Sequence, residues 1–218
     1  MRSPVYAKQG MVASAHPLAS QIGLDVLRAG GNAVDAAVAM NAALGLMEPT
    51  GCGVGGDLFA IVWSHEDQKL YGLNASGRSA SGLTLDELRA QGHEQMPAFG
   101  ALPVTVPGTV DGWFELLDRF GSKPIGELLA PAIQYARQGH PVPPVIAYYW
   151  SFSTKRYPDF PGWFATYAPN GRTPRAGEIF RNPHLASTYE KIAAGGRDAF
   201  YKGDIAKSMV EALRKHGG

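Results

Sequence analysis

The stretch Gly51-Cys52-Gly53-Val54-Gly55-Gly56 has the spacing that most invites a chemical reading, because it matches G-x-G-x-x-G. Such a loop cradles a dinucleotide pyrophosphate when a strand leads in and a helix leads out, so that the phosphate sits on the helix N-terminus. Here the order is reversed. An Ala/Val/Leu/Met-rich helical segment precedes the glycines, and Leu58-Phe59-Ala60-Ile61-Val62-Trp63 follows them as a strand. No helix N-terminus would face a phosphate, so the loop reads as a sharp turn between a buried helix and a buried strand. Cys52 is the sole cysteine, which excludes an internal disulfide and a cysteine metal framework. Nothing flanking it in sequence supplies a base, and it reads as a small buried residue. No two of His16, His65, His93, His140, His184 and His216 stand three or four residues apart. No helical metal pair is therefore present, and the histidines read as surface or hydrogen-bonding residues.

The elements that would position such groups follow from periodicity and punctuation. Residues 11–14 read as a short strand. Gln21–Ala29 has helical spacing, with Gly30-Gly31 as its stop. Asn32 is an N-cap for Val34–Met47, and Asp35 belongs to the same helix start. That helix is apolar on almost every face, which marks it as buried. Leu58–Trp63, a polar turn and Lys69–Asn74 read as a hairpin whose first strand is buried. Asp57, beside the glycine loop, reads as a turn-forming or capping residue. Thr84 and Glu87 form a capping box for a short helix. Val110–Phe120 and Ile125–Gln138 are helices closed by Gly121 and Gly139. The Pro- and aromatic-rich stretch 141–175 carries a helix near 145–157. Leu185–Ala194 and Asp204–His216 are the last two helices, with Gly217-Gly218 as a C-cap.

The 218 residues hold 45% apolar and 18% charged residues, with 20 Lys+Arg against 19 Asp+Glu. That composition supports a packed core and argues against disorder. A net charge of +1 gives no footprint for a nucleic-acid partner. No apolar run approaches the roughly 20 residues of a membrane span. No apolar leader opens the sequence, so the expected location is cytoplasmic. No linker or repeat divides the chain, and residues 1–218 are expected to form a single unit.

Four segments together carry a resemblance. They are Gly10-Met11-Val12-Ala13-Ser14 with Gly30-Gly31-Asn32-Ala33-Val34-Asp35-Ala36-Ala37; the glycine loop ending Gly55-Gly56-Asp57-Leu58-Phe59; Val106-Pro107-Gly108-Thr109-Val110-Asp111-Gly112; and Phe200-Tyr201-Lys202-Gly203 followed by Gly217-Gly218. In order and spacing the sequence resembles the large subunit of the γ-glutamyltranspeptidase family from its start. The resemblance implies an α/β fold, the helix-rich portion of an incomplete N-terminal-nucleophile hydrolase αββα sandwich. It also implies a precursor that cleaves itself, with the new N-terminal Thr of the small subunit as nucleophile. That Thr would take the γ-glutamyl group of glutathione or a related amide and pass it to water or an amino acid. Its own α-amine would act as base, and backbone amides would hold the oxyanion. No metal or organic cofactor is implied.

The sequence departs from the family pattern in two places. No Thr-Thr-His-type junction occurs in it, so no catalytic residue is assigned. The chain is expected to be an N-terminal part that needs the remaining C-terminal or small-subunit part as its partner, and to be inactive alone. The family also holds the substrate α-carboxylate with an Arg in an Arg-Glu-x-Ala-Pro motif, where the planar guanidinium binds in two-pronged fashion. Here the stretch is Asn74-Ala75-Ser76-Gly77-Arg78-Ser79-Ala80, and the family position falls on Ser76. Arg78 lies two residues on, which in an extended segment is the same face. Arg78 is therefore the expected substrate-binding residue for a γ-glutamyl small molecule. Its displacement leaves a second reading open, an amide acylase acting on β-lactam side chains or poly-γ-glutamate. A third is a truncated, inactive domain. The aromatic residues Tyr148, Tyr149, Trp150, Phe152, Tyr157 and Trp163 are expected to pack against the part of the enzyme beyond this sequence.

Overall fold

A computed structural model of the chain describes residues 3–156 and 160–218. Tyr157, the end of one expected helix, lies outside the described residues. By its internal contacts the chain forms two compact units, each assembled from two separate stretches. One comprises Met1–Gly53 with Leu116–Ala194, the other Val54–Glu115 with Gly195–Gly218. A single unit is the expectation from the sequence; of the three points of division one falls in the glycine loop and two inside helices, and no compositional linker marks them.

In the first unit α1 spans Pro17–Arg28 and α2 spans Ala33–Met47. α1 starts a turn earlier than its periodicity suggests, because the His16 ring nitrogen Nδ1 accepts the Leu18 N–H and caps it. It ends as expected. Gly30, at φ +84°, and Gly31 donate back to the Leu27 and Val26 carbonyls, which satisfies carbonyls that would otherwise be orphaned. Residues 11–14 form no strand. An extended segment becomes a strand only through a ladder, and none forms there. α2 is the buried helix its composition predicts, with Ala39, Ala42, Ala43 and Met47 fully enclosed.

The start of α2 is a capping box. Asn32 Oδ1 accepts the Val34 and Asp35 N–H groups, and Asp35 Oδ2 accepts the Asn32 N–H. Asp35 does more than cap. It is fully buried and also accepts from the Ser122 N–H, the Ser122 hydroxyl and the Lys123 N–H. Burial alone would raise its carboxyl, but these hydrogen bonds outweigh it and hold the group below its ordinary value.

The second unit contains β1 (Leu58–Ser64) and β2 (Lys69–Ala75), an antiparallel hairpin in the register Leu58↔Ala75 to Ser64↔Lys69. The expectation of a buried first strand is corrected here. Phe59, Ile61 and Trp63 are 67%, 78% and 58% exposed, and of this strand only Leu58 is buried. A strand apolar on both faces is buried only when both faces are covered; the described residues cover one. α3 (Leu85–Ala90) has the Thr84–Glu87 capping box foreseen for it. α4 (Thr109–Phe120) approaches the hairpin closely at Gly112, where a Cβ would lie 3.0 Å from both the Ala75 Cβ and the Leu58 Cδ2.

Back in the first unit, α5 (Ile125–Gln138) buries Leu128, Leu129, Ala132 and Ala136 and packs on α2. β3 (His140–Pro141) pairs with a later strand, and the aromatic stretch folds into α6 (Pro144–Ser151), α7 (Ser153–Arg156) and α8 (Pro161–Tyr167). The single helix expected over 145–157 is thus split at Phe152. β4 (Ile179–Phe180) is the partner of β3. α9 (Pro183–Tyr201) is broken at Gly196, whose φ of +66° is left-handed, and the boundary between the units falls there. In its first half Tyr189 donates its hydroxyl to the Ala42 carbonyl at 2.8 Å. α10 (Asp204–Lys215) follows in the second unit, closed by Gly217-Gly218 as expected.

Candidate functional site

Arg78 sits just past β2, and the segment carrying it is tied down within the second unit. The alternation of exposure along β2 persists beyond the strand's end: Asn74, Ser76 and Arg78 are exposed, while Ala75 and Gly77 are partly covered. Side chains two residues apart in an extended segment share a face, so Ser76 and Arg78 point to the same side. The Arg78 guanidinium makes no hydrogen bond or ion pair with any described residue.

Backbone contacts fix the segment. The Val106 N–H donates to the Arg78 carbonyl at 2.9 Å. A Cβ on Gly77 would lie 1.6 Å from the Val106 carbonyl oxygen, and one on Gly108 would lie 1.8 Å from that of Ala75. Both positions are open to glycine alone because two backbones run in direct contact there. Ser76 donates its N–H to Asn74 Oδ1 at 2.9 Å. Asp57 is not the turn former expected of it. Its Oδ1 accepts the Gly77 N–H at 3.1 Å, twenty residues away.

The same framework joins the motif segments to one another. The Gly56 carbonyl accepts the Gly108 and Thr109 N–H groups, and the Asp57 carbonyl accepts the Thr109 hydroxyl. Tyr201 donates its hydroxyl to the Pro107 carbonyl at 2.6 Å and accepts the Asp111 N–H at 2.9 Å, satisfying a donor in the first turn of α4. Arg197 pairs with Asp111 and Glu115 on the same helix. These long-range ties were not legible in the sequence, although every block containing them was.

Elsewhere the structure decides two candidate chemistries. Cys52 is half-buried in the first unit, and burial, followed by the Glu48 carboxylate, pushes its thiol up. A thiol so placed is the reverse of an activated nucleophile. The glycine loop has α2 before it and β1 after it, the order that denies a phosphate its helix N-terminus. Among the described residues no cluster of three or more His, Cys, Asp or Glu could hold a metal, and no helix is long and apolar enough to cross a membrane.

Of the aromatic stretch, Trp150 is buried against Phe180, whereas Tyr148, Tyr149 and Phe152 are exposed. Two of the histidines scattered in the sequence meet in the fold. His16 and His140 are buried, with ring centroids 5.7 Å apart and edge to face. Among the described residues the Nε2 atom of each has no hydrogen-bond partner.

The helices and the β-hairpin are the part of an N-terminal-nucleophile hydrolase sandwich that the chain contains, and solved structures of that class superpose on it. Cephalosporin acylase from Bacillus halodurans matches with a TM-score of 0.93 and 46% identity, over 100% of this chain and 42% of that one. Helicobacter pylori γ-glutamyltranspeptidase matches with a TM-score of 0.92 and 30% identity, over 99% of this chain and 63% of that one. In sequence, the Bacillus subtilis glutathione hydrolase proenzyme is 36% identical over 220 residues, covering 97% of this chain and 36% of that protein. The profile described as γ-glutamyltranspeptidase matches residues 19–218. The chain belongs to the γ-glutamyltranspeptidase family, and it spans little more than a third of the length of the curated glutathione hydrolase it matches.

Proposed function

We propose that these residues are the N-terminal portion of the large subunit of an enzyme that cleaves the γ-glutamyl amide bond of a glutathione-like substrate, and that Arg78 holds the substrate's α-carboxylate. One observation carries the assignment of Arg78. Its guanidinium is exposed and unpaired with any described residue, at the end of a strand extension clamped by two of the family's sequence blocks. An arginine whose fork is not engaged within the fold can bind a carboxylate with two parallel hydrogen bonds. The nucleophile of this reading is the N-terminal Thr of a small subunit, outside these 218 residues, and the remaining part of the enzyme is the required partner. The 218 residues alone are expected to turn over nothing.

A second reading, an amide acylase, is favoured by the 46% identity to a cephalosporin acylase, against 30% to the H. pylori transpeptidase. The experiment purifies the polypeptide from its own cells with everything that accompanies it, records intact masses, and assays γ-glutamyl-p-nitroanilide beside a cephalosporin amide. A companion chain beginning with Thr, anilide turnover, and a KM raised on the order of tenfold or more by Arg78→Ala support the γ-glutamyl reading. Preferential turnover of the cephalosporin, indifferent to Arg78→Ala, establishes the acylase reading in its place.

A further inference from the structure

We propose that Asp57 is a positioning residue for Arg78, acting through the Gly77 amide; the proposal rests on the reading of Arg78 as the carboxylate ligand. The β1–β2 ladder ends at the pair Leu58↔Ala75. Beyond it the strand carrying Arg78 has lost the backbone acceptors that β1 supplied. The Asp57 carboxylate takes over, accepting the Gly77 N–H at 3.1 Å. Among the described residues that bond is the only one the Asp57 side chain makes, so the carboxylate has no competing role as a cap or turn former.

The peptide it holds, Ser76–Gly77, is the one just before the peptide that leads into Arg78. From the other side the Val106 N–H holds the Arg78 carbonyl. The two bonds hold the peptide groups on either side of the Gly77–Arg78 peptide and so restrict the direction in which the Arg78 side chain leaves the backbone. Gly77 cannot rotate away freely, because its Cα lies against the Val106 carbonyl. Asp57 itself is anchored, since its own carbonyl accepts the Thr109 hydroxyl at 3.1 Å. A carboxylate is the stronger acceptor for this task, because a hydrogen bond to a charged oxygen is worth more than one to a neutral oxygen. Misdirecting a binding group by even an ångström weakens the hold on its ligand while leaving chemistry elsewhere intact.

The test uses the complete enzyme, with Asp57→Ala, Asp57→Asn, Arg78→Ala and the Asp57→Ala/Arg78→Ala double variant, assayed on γ-glutamyl-p-nitroanilide. Asp57→Ala is expected to raise KM on the order of tenfold with kcat changed less than about threefold. Asp57→Asn, whose amide oxygen can still accept from Gly77, is expected to recover most of the loss. In the Arg78→Ala background the Asp57 change should add nothing to KM, because the two act as one unit. Hydrogen exchange at the Gly77 amide, faster in Asp57→Ala, reads the bond itself without reference to activity.

If Arg78→Ala raises KM and Asp57→Ala does not, the positioning role is overturned and the reading of Arg78 stands. If Arg78→Ala leaves KM unchanged, the reading of Arg78 fails and the role of Asp57 with it. A lower melting temperature in Asp57→Ala with unchanged KM would show Asp57 to be structural only.

Discussion

His16 and His140 illustrate what a single residue type can do when its environment is decided elsewhere in the chain. Both are buried, and each disfavours its own charging. Desolvation pushes His140 down to about 4, with the neighbouring His16 adding to the effect, and burial lowers His16 as well. His16 further depends on a neutral ring, because its Nδ1 must accept the Leu18 N–H. A histidine whose folded value lies below its unfolded value near 6.5 stabilises the fold fully above that pH. The contribution is lost as pH falls from about 6.5 toward 4. Urea midpoints at pH 7 and pH 5 should therefore differ in the wild type, with His140 accounting for about 2 kcal/mol of the difference. His140→Leu should remove that share, and an equal pH dependence in the variant would refute the account. Asp35 acts with the same sign in a lower pH window: its lowered carboxyl stabilises the fold above the ordinary carboxylate range, and the gain is lost as pH falls through that range.

At the scale of elements, the short connections are held by side chains that reach across long sequence separations. α4 starts where Tyr201, at the end of α9, supplies both a donor to the Pro107 carbonyl and an acceptor for the Asp111 N–H. Tyr201→Phe keeps the ring and removes both bonds, leaving two partly buried backbone groups unpaired. The expected cost is about 1–2 kcal/mol, read as a lower urea midpoint at unchanged slope. A midpoint equal to wild type would mean that water replaces the hydroxyl there. α2 contrasts with this. Its capping box and its apolar composition agree, so its existence and burial were both legible from adjacent residues.

At the scale of the whole molecule, the hairpin presents an exposed apolar face. Phe59, Ile61, Trp63 and Leu70 lie together on it through the pairs Phe59↔Asn74, Ile61↔Gly72 and Trp63↔Leu70. An apolar face of this kind marks a surface that something else covers. The 218-residue chain is expected to bind the dye ANS, and the double change Ile61→Thr/Trp63→Thr to reduce that binding several-fold. Because both side chains are exposed, cooperative unfolding should survive the change. Undiminished dye binding in the variant would point instead to the exposed aromatics of α6, Tyr148 and Tyr149.

What the sequence determined by itself was whatever depends on near neighbours: capping boxes at Asn32 and Thr84, glycine stops at Gly30 and Gly217, the hairpin, the buried α2, and the ordered motif segments that carry the family. The tertiary structure alone decided which face of β1 is covered, that Asp57 serves Gly77 rather than its own turn, and that His16 meets His140. Each of these rests on a contact between residues remote in the chain. Local propensity and periodicity report the conformation of a segment and its apolar faces; they carry no information about which distant backbone or ring is brought against them.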